Sequence, residues 1–393
     1  MLRPGKPQWQ GMLSYTADLH RRSIRPAQPP FFHPWEEIGP GYCYGPAFGH
    51  WDTVHQVLDW MPVDPEHVAR QIKNLFAVQQ CDGFMPGATR WHDDGRPLLQ
   101  INHSHPPVWV FAVEDHYRQT GSLDLIRAIF APARHQLAWF EAQRRATRGG
   151  YYYCDITKQT WESGVDEGIR FDTSPALPLA CVDATAHVYA LTSHLALWAE
   201  RLGENASAFT SAAQALQNFI RASLFAPNAG FFHDHWAIDL PAQQCICFEG
   251  LWPVIVGAAS SEQAQRVIHE NLMNPAKLFC DHPVATVARD DPRFELRMWR
   301  GPAWNSMTYW AARGCMRYGA HREAAMLLER ALDDSAAQYE RTGTIWEFYH
   351  PHGGKPEDVQ RKPDTPFNQP CREYLGHNPL LAMARMYDSV IKL

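Results

Sequence analysis

Apolar residues recur at the spacing of amphipathic helices over most of the chain. The pattern is clearest over residues 64–80, where Asp64 and Pro65 precede Val68, Ile72 and Leu75. A capping Asp, a first-turn Pro and a single apolar stripe are typical of a helix with one buried face. Similar patterns predict helices over residues 11–22, 50–60, 107–119, 122–144, 179–202, 204–224, 245–258, 261–273, 305–318, 320–340 and 376–391. About twelve helices indicate an all-α fold.

Long segments rich in Trp, Gly, Pro and His interrupt this pattern after roughly every second helix. They cover residues 25–50, 81–106, 145–178, 226–244, 275–304 and 342–375. Loops of this length in a compact domain are usually functional, and their spacing predicts a toroid of about six helical hairpins with one elaborated rim. No linker-like tract divides the chain, so a single domain over residues 1–393 is expected, with short β pairs near 151–154 and 230–232.

Composition and charge exclude several classes of function. The 393 residues carry 36 Lys and Arg against 42 Asp and Glu, a formal charge of −6 without a long basic run, which disfavours nucleic-acid binding. No apolar stretch approaches the roughly 20 residues of a membrane-spanning helix. The nine cysteines form no CxxC pair, and residues 1–10 lack the apolar core of a signal peptide. A cytoplasmic protein without disulfides is expected.

Four loop regions combine aromatic rings with planar polar groups, a combination suited to sugars. They are Gly49–Asp52, Asp82–Pro86 with Ser104–Pro107, Trp161–Phe171, and Met298–Asn305 with Thr344–His350. Asp166 and Glu347 lie in different aromatic loops, where apolar surroundings raise a carboxyl pKa towards the range useful to a general acid. Glycoside hydrolysis needs two such carboxyls, although each taken alone is more simply a helix cap or a partner of a nearby Arg.

These segments resemble glycoside hydrolase family 63 and, less closely, the family 37 trehalases. Glu162–Asp166 matches a Glu-Ser-Gly-x-Asp segment of family 63, and Arg170 and Phe171 follow it. Met298–Trp304 matches a Tyr-Trp-Arg-Gly-Pro-x-Trp segment except that Met298 stands in place of the Tyr, and Glu347 stands in the context Glu-x-Tyr. The resemblance implies an (α/α)6 barrel, with Asp166 as general acid and Glu347 as general base.

The resemblance also implies a set of sugar-binding residues. Trp51 and Asp52 match the Trp-Asp pair that binds the terminal sugar, and His105 stands where the family usually has a Gln before Pro-Pro. Trp299 and Trp304 are expected to form walls of the sugar subsite. The substrate-binding residues implied in this way are Trp51, Asp52, His105, Trp161, Gly164, Arg170, Trp299, Arg300 and Trp304.

The expected activity is that of an inverting exo-α-glycosidase acting on a small α-glucoside, either a disaccharide or a compound of the glucosyl-glycerate type. An α-mannoside of the mannosylglycerate type is the alternative. Arg90, Arg170, Arg297 and Arg300 are candidates for binding a carboxylated aglycone, or else for pairing with nearby Asp or Glu. The sequence does not indicate the linkage or the oligomeric state, since no heptad seam is visible.

Two other classes of function remain open at this point. Sugar epimerases and polysaccharide lyases also use α/α toroids with His or Tyr bases, and a non-catalytic sugar-binding toroid is a further alternative. No GxGxxG, GxxxxGK[ST] or GxSxG segment occurs, so no organic cofactor and no serine hydrolysis are expected. The HxH pairs at residues 103–105 and 233–235 lack accompanying carboxylate or Cys clusters, so no metal is expected.

Overall fold

Helices account for most of the architecture in the computed structural model, which describes residues 4–157 and 161–392. The long helices are Gln10–Arg22 (α1), His50–Trp60 (α2), Pro65–Phe76 (α3), Trp109–Thr120 (α4), Asp124–Gln143 (α5), Val182–Leu202 (α6) and Ser207–Ser223 (α7). The Asp64 carboxylate accepts the His67 amide at 2.8 Å and starts α3 as the sequence predicts. The prediction of a mostly helical chain is confirmed.

The second half of the chain is less regular. Its helices are His235–Asp239 (α8), Trp252–Ile255 (α9), Ser261–Arg266 (α10), Asn305–Arg317 (α11), His321–Thr342 (α12) and Leu380–Val390 (α13). The helix predicted over 245–258 is wrong in extent, because only the 3-10 turn Phe248–Leu251 and the four residues of α9 are helical. Pro253 lies in the first turn of α9, and Gly257 follows with a φ of 81°, so the helix cannot extend.

Short antiparallel strands lie between the helices. Ile24–Arg25 (β1) pairs with Trp35–Glu36 (β2), and Phe48–Gly49 (β3), Ala88–Trp91 (β4) and Pro97–Leu99 (β5) form a sheet in the order β3-β4-β5. Phe225–Ala226 (β6) pairs with Phe231–Phe232 (β7), as expected near 230–232. Near 151–154 the structure has an isolated bridge between Arg145 and Tyr151.

Six helices contact one another in a closed sequence. Along the chain, α2 contacts α4, α4 contacts α6, α6 contacts α9, α9 contacts α11, α11 contacts α13, and α13 contacts α2. The other long helices pack against these six. Helix α3 contacts α2 and α4, α5 contacts α4 and α6, α7 contacts α6, and α12 contacts α11 and α13. Helix α1 contacts both α12 and α13, so an early and a late helix meet.

A large apolar cluster runs through this assembly from Trp9, just before α1, to Val390 in α13. Trp9, Trp109, Trp198 and Trp310 are fully buried within it. Within the described residues, no helix is both long and apolar enough to span a membrane. The single-domain prediction over 1–393 stays a prediction, and residues 1–3, 158–160 and 393 lie outside the part that the structure describes.

Candidate active site

The loop that carries Asp166 is fixed by the residues immediately before it. Glu162 is fully buried and receives Arg144 Nε on Oε2 at 2.6 Å and Arg144 Nη2 on Oε1 at 3.0 Å. Ser163 Oγ donates to Asp155 Oδ1 at 2.6 Å, and Gly164 then turns the chain with a φ of 75°. A positive φ of this size favours glycine. The Glu, Ser and Gly of the motif therefore build the loop that holds the Asp in place.

Asp166 is the more accessible of the two candidate catalytic carboxyls. Its side chain is 20% exposed, and Lys362 Nζ lies 3.3 Å from Oδ2. Burial raises the pKa of Asp166 above its usual value, while the charges of Lys362 and Arg361 oppose this effect. A raised pKa keeps a larger fraction of the carboxyl protonated, as a general acid requires.

Glu347 has a different environment. Its side chain is 2% exposed, and Oε2 accepts both Arg361 Nε at 2.7 Å and the Cys371 amide at 3.0 Å. The Glu347 amide in turn donates to the Cys371 carbonyl at 2.8 Å. Oε1 accepts no hydrogen bond from the residues that the structure describes. A carboxylate held by one oxygen can use the other to take a proton from water.

Both carboxyls are held by one dipeptide. Arg361 binds Glu347 and the next residue, Lys362, binds Asp166, so one segment sets the positions of both groups. The Arg361 amide donates to Asn368 Oδ1 at 3.1 Å, which closes the loop behind the dipeptide. The sequence analysis did not identify these residues, because no motif marks them within the long loop 342–375.

Asp166 and Glu347 line one pocket of about 350 Å³ together with most of the predicted site residues. The predicted residues that line it are Trp51, Asp52, His105, Trp161, Gly164, Asp166, Trp299, Trp304 and Glu347. Arg90 also lines it. Lining residues that were not predicted are Tyr42, Tyr44, Gln100, His103, Met298, Arg361, Lys362, Tyr374 and His377. His103 belongs to an HxH pair and His377 falls within the helix predicted over 376–391, and the only sequence signal of the others is their position in long aromatic loops.

Aromatic rings form much of the pocket wall. Trp299 and Trp304 stack with ring centroids 3.9 Å apart and planes within 4°, and the edge of His377 faces Trp304 at 4.7 Å. Trp51 Nε1 donates to His377 Nδ1 at 3.2 Å. Trp161 is 42% exposed at the mouth, where Lys362 Nζ lies 4.5 Å from its ring centroid. Such flat apolar faces are suited to the C–H surface of a sugar.

Asp52 is a buried residue of the pocket lining, in the first turn of α2. The Tyr374 hydroxyl donates to its Oδ1 at 2.7 Å, and burial raises the pKa of Asp52 to about 7. A Cβ on Gly49 or on Gly376 would lie 2.2 Å from an Asp52 oxygen. Both glycines are therefore required where they stand, because any side chain would displace the carboxyl.

His105 offers a neutral imidazole to the same pocket. Burial lowers its pKa well below the usual value, and the neighbouring His103 and His50 act in the same direction. Its ring lies 5.2 Å from that of His103, and its buried Nδ1 has no hydrogen-bond partner in the described part of the chain. A neutral imidazole has one donor and one acceptor nitrogen, so this residue of the pocket lining is suited to a ligand hydroxyl.

Arg170, which is expected to contact the substrate, is not among the residues that line the pocket. Its buried guanidinium binds Asp183 at 2.5 Å, Asp234 at 2.7 Å and Glu249 at 2.9 Å. Three carboxylates surround the buried guanidinium of Arg170 and fix the end of the loop that carries Asp166. The motif predicts the residue type correctly but does not show which way the side chain turns.

Arg300 also lies outside this pocket, contrary to expectation. Its guanidinium binds Asp172 Oδ2 and Glu295 Oε1, each at 2.8 Å, and it lines a neighbouring cavity instead. Arg297 is similarly paired, with Glu167 at 2.9 Å and Glu295 at 3.0 Å. Both arginines therefore stabilise the rim by pairing with acids on neighbouring loops.

Among the described residues, one group of three side chains could hold a metal ion, but its surroundings do not favour metal binding. Cys181, Asp183 and Asp234 approach one another closely enough to share an ion. Arg170 already binds both carboxylates, and its charge opposes a second cation. The group is better explained as an acceptor for Arg170.

Comparison with known proteins identifies a matching family and solved structures of similar fold. Residues 46–368 match the model of the mannosylglycerate hydrolase MGH1-like glycoside hydrolase domain. A glycoside hydrolase family 63 mannosylglycerate hydrolase from Thermus thermophilus, solved in complex with glucose, superposes with a TM-score of 0.74 at 20% identity, over 96% of this chain and 99% of the other.

Two further solved structures share the fold. Neutral trehalase Nth1 from Saccharomyces cerevisiae gives a TM-score of 0.70 at 14% identity, over 97% of this chain and 79% of that one. A rhamnosidase from Klebsiella oxytoca gives 0.65 at 14% identity, over 97% and 63%. The resemblance to families 63 and 37 seen in the sequence is confirmed. The chain belongs to the MGH1-like glycoside hydrolase family.

Proposed function

We propose that this chain is an inverting exo-α-glycosidase in which Asp166 protonates the leaving oxygen and Glu347 activates water. The observation that carries the proposal is that both carboxyls line one pocket of about 350 Å³ in unlike environments. Asp166 is partly exposed with a raised pKa, whereas Glu347 is buried against Arg361. Two carboxyls with separate tasks are what inverting hydrolysis needs.

The overall form proposed is an (α/α)6 toroid. The closed sequence of contacts from α2 through α4, α6, α9, α11 and α13 back to α2 supports six inner helices. The residues that start α2 and those that precede α4, α11 and α13 line the same pocket. Inner helices that all begin at one end would place the pocket on the axis of such a toroid.

The terminal sugar is proposed to bind among Trp51, Asp52, His105, Trp299 and Trp304. The stacked pair Trp299 and Trp304 supplies an apolar wall, while Asp52 and His105 supply acceptors for hydroxyl groups. Trp161 and Gly164 are proposed to line the path to the aglycone, since Trp161 lies exposed at the mouth. A pocket of about 350 Å³ with buried Asp52 in its lining favours exo-acting cleavage of a small substrate.

Three of the four candidate arginines are paired with protein carboxylates and the fourth is not, and this difference favours an acidic aglycone. Arg170, Arg297 and Arg300 all bind protein carboxylates. Arg90 lines the pocket, packs over Tyr44 at 5.1 Å, and forms no ion pair with a carboxylate of the described residues. A guanidinium on a pocket wall without a carboxylate partner is suited to a carboxylate ligand, which supports a substrate of the glucosyl-glycerate type.

An α-mannoside is the second candidate for the sugar. It is favoured by the family match, whose description names mannosylglycerate hydrolase. The two candidates differ only in the configuration of one hydroxyl on the terminal sugar. They share the proposed acid, base and aglycone contacts, so a substrate comparison is needed to choose between them.

The test is hydrolysis of four matched substrates by the purified protein. These are α-glucosylglycerate, α-mannosylglycerate, α-glucosylglycerol and trehalose, with sugar release followed by proton NMR. We expect the glucosyl compound with a carboxylate to be cleaved faster than its neutral glycerol counterpart, and Arg90→Gln to remove most of that difference. Preference for the mannosyl compound would select the second candidate, and no cleavage of any α-glycoside would refute the proposed activity.

A further inference from the structure

Two segments far apart in sequence pack backbone against backbone beside the pocket. The Leu375 amide donates to the Ile38 carbonyl at 2.7 Å. A Cβ on Gly39 would lie 2.1 Å from the Glu373 carbonyl oxygen, and one on Gly41 would lie 1.9 Å from that of Arg372. This close approach brings Cys43 and Cys371 into one small apolar cluster.

The two thiols in this cluster are not equivalent. A hydrogen bond from the Cys371 thiol lowers the pKa of the half-buried Cys43, and the charge of Arg361 acts in the same direction. The Cys371 thiol is buried, and its own pKa is raised, chiefly by the same hydrogen bond. Cys43 is therefore the more acidic of the two thiols, while Cys371 is a buried thiol placed to react with it.

The backbone of Cys371 is also hydrogen-bonded to Glu347, the proposed general base. The Cys371 amide donates to Glu347 Oε2 at 3.0 Å, and its carbonyl accepts the Glu347 amide at 2.8 Å. Tyr42 and Tyr44, on either side of Cys43, line the pocket. A movement of either cysteine is thus transmitted directly to a catalytic group or to the pocket wall.

We propose that Cys43 and Cys371 form a peroxide-sensitive disulfide site whose oxidation moves the Cys371 backbone away from Glu347 and stops hydrolysis. This inference rests on the proposed function for its effect on activity. The formation of the disulfide itself does not depend on that function.

The chemistry requires only hydrogen peroxide as the oxidant. The Cys43 thiolate attacks one peroxide oxygen, the O–O bond breaks, and Cys43 becomes a sulfenic acid while hydroxide leaves. The Cys371 sulfur then attacks the Cys43 sulfur, forms the S–S bond and expels the hydroxyl group, which leaves as water with the Cys371 proton. In sum, two thiols and one peroxide give one disulfide and two waters, so two electrons pass from sulfur to oxygen.

The chain provides a matched control among its other thiols. Cys81 is exposed, and it lies outside both the pocket lining and the cluster that contains Cys43. Cys81→Ser therefore removes an accessible thiol without touching the proposed site. Cys43→Ser removes the reactive thiol but leaves the Cys371 backbone and both of its bonds to Glu347 in place.

The experiment treats the reduced full-length protein with hydrogen peroxide, alkylates free thiols, and identifies cross-linked peptides by mass spectrometry. We expect a Cys43–Cys371 peptide, a loss of turnover of at least ~10-fold, and recovery with dithiothreitol. Cys43→Ser should hydrolyse substrate normally before treatment and resist peroxide, whereas Cys81→Ser should respond like the unaltered protein. Equal inactivation of Cys43→Ser, or loss of activity without the cross-linked peptide, would overturn the proposal.

Hydrogen exchange supplies a readout that needs no substrate. Oxidation should accelerate exchange of the Glu347 amide, because its acceptor is the Cys371 carbonyl. Unchanged exchange in the oxidised protein would refute the displacement even if the disulfide forms. If the reduced protein cleaves no glycoside, the proposed function fails alone, and the peptide and exchange measurements still decide on the disulfide and its effect.

Discussion

The two carboxyls of the pocket differ chiefly in their nearest cation. Asp166 meets a lysine at 3.3 Å while 20% of its side chain stays exposed, whereas Glu347 is 2% exposed and meets an arginine at 2.7 Å. A flexible ammonium can move away when a proton is transferred, while a guanidinium holds a carboxylate in one orientation. The proposed acid therefore has the movable partner and the proposed base has the fixed one.

The first prediction concerns proton donation. Asp166→Asn should lower turnover of an ordinary α-glycoside by at least ~10²-fold, because the amide cannot protonate the leaving oxygen. The loss should be smaller for an aryl glycoside with a very good leaving group, which needs little protonation. Rates for both substrates and a thermal melt measure this. Equal losses on the two substrates would instead indicate that Asp166 is structural.

The second prediction concerns stereochemistry. Water must fit between Glu347 and the anomeric carbon, so the Asp166 and Glu347 carboxyls should lie roughly 6.5–9.5 Å apart in a substrate complex. Proton NMR in the first minutes should show the β-sugar released from an α-linked substrate. Azide should partly restore cleavage in Glu347→Gln and give a β-glycosyl azide. An α-sugar as the first product would refute the inverting mechanism.

The third prediction concerns Asp52 and pH. Its pKa is raised to about 7, so the carboxyl is mainly protonated below that pH and ionised above it. If the ionised form accepts the sugar hydroxyls, kcat/KM should fall as the pH drops below this pKa. The same limb should be absent in Asp52→Asn, whose amide does not titrate. A pH profile of kcat/KM for both proteins checks this, and an unchanged limb in the variant would contradict it.

At this scale the sequence was informative where a motif surrounds the residue. Asp166, Glu347, Trp299 and Trp304 were predicted from such motifs, and all four line the pocket. His377 was missed because a single His before a helix carries no signal of its own, although its contacts with Trp51 and Trp304 define the pocket wall.

Among the elements, the loop from 161 to 171 depends on anchors at both ends. Arg144 holds Glu162 at the beginning, and Arg170 binds three acids at the end. The segment between them is short enough to hold Asp166 in one place. Anchors of this kind cannot be predicted from local sequence, because Arg144 and Glu249 come from other parts of the chain.

The fourth prediction tests the turn within that loop. Gly164 and Gly203 both have a φ of 75°, so an Ala at either position should cost about 1–2 kcal/mol of stability. A Cβ on Gly164 would lie 3.6 Å from Trp51 in the pocket, whereas one on Gly203 would meet nothing within 4 Å. We expect similar falls in Tm but a raised KM only for Gly164→Ala. An equal KM for the two variants would remove Gly164 from the site.

Periodicity predicted the long helices well and the second half of the chain less well. Helices such as α3 and α12 have end signals and one apolar stripe that depend on local sequence alone. Over 245–258 the residues are mostly apolar, so the period does not distinguish a helix from a buried irregular segment. Gly250 adds a tertiary constraint that local sequence does not show, because a Cβ there would lie 2.2 Å from Phe231.

For the whole molecule, the join between early and late helices is a distinct structural feature. Helix α1 packs on α12 and α13, and the Gly5 amide donates to Asp388 Oδ2 at 2.9 Å. Trp9 is fully buried at this join, with Nε1 donating to Asp333 at 2.6 Å and its ring 5.0 Å from Tyr387. The join lies in elements that contribute no residue to the pocket lining.

The fifth prediction follows from that separation. Trp9→Ala should destabilise the fold by about 3–5 kcal/mol, the usual cost of removing a buried Trp, while KM stays unchanged at low temperature. Trp161→Ala at the exposed pocket mouth should do the reverse, with a raised KM and little change in Tm. Denaturant unfolding and steady-state kinetics on both variants measure this. A large change in KM for Trp9→Ala would show that the join and the pocket are coupled.

The adjacent positions of Arg361 and Lys362 also determine when the two carboxyls lose their cationic partners. Adjacent Cα atoms are ~3.8 Å apart, so a displacement of this dipeptide moves the cationic partners of Asp166 and Glu347 together. The proposed acid and base therefore gain or lose their cationic partners in the same event when this segment moves. An insertion between Arg361 and Lys362 would allow the two cationic partners to move separately, even with both side chains retained.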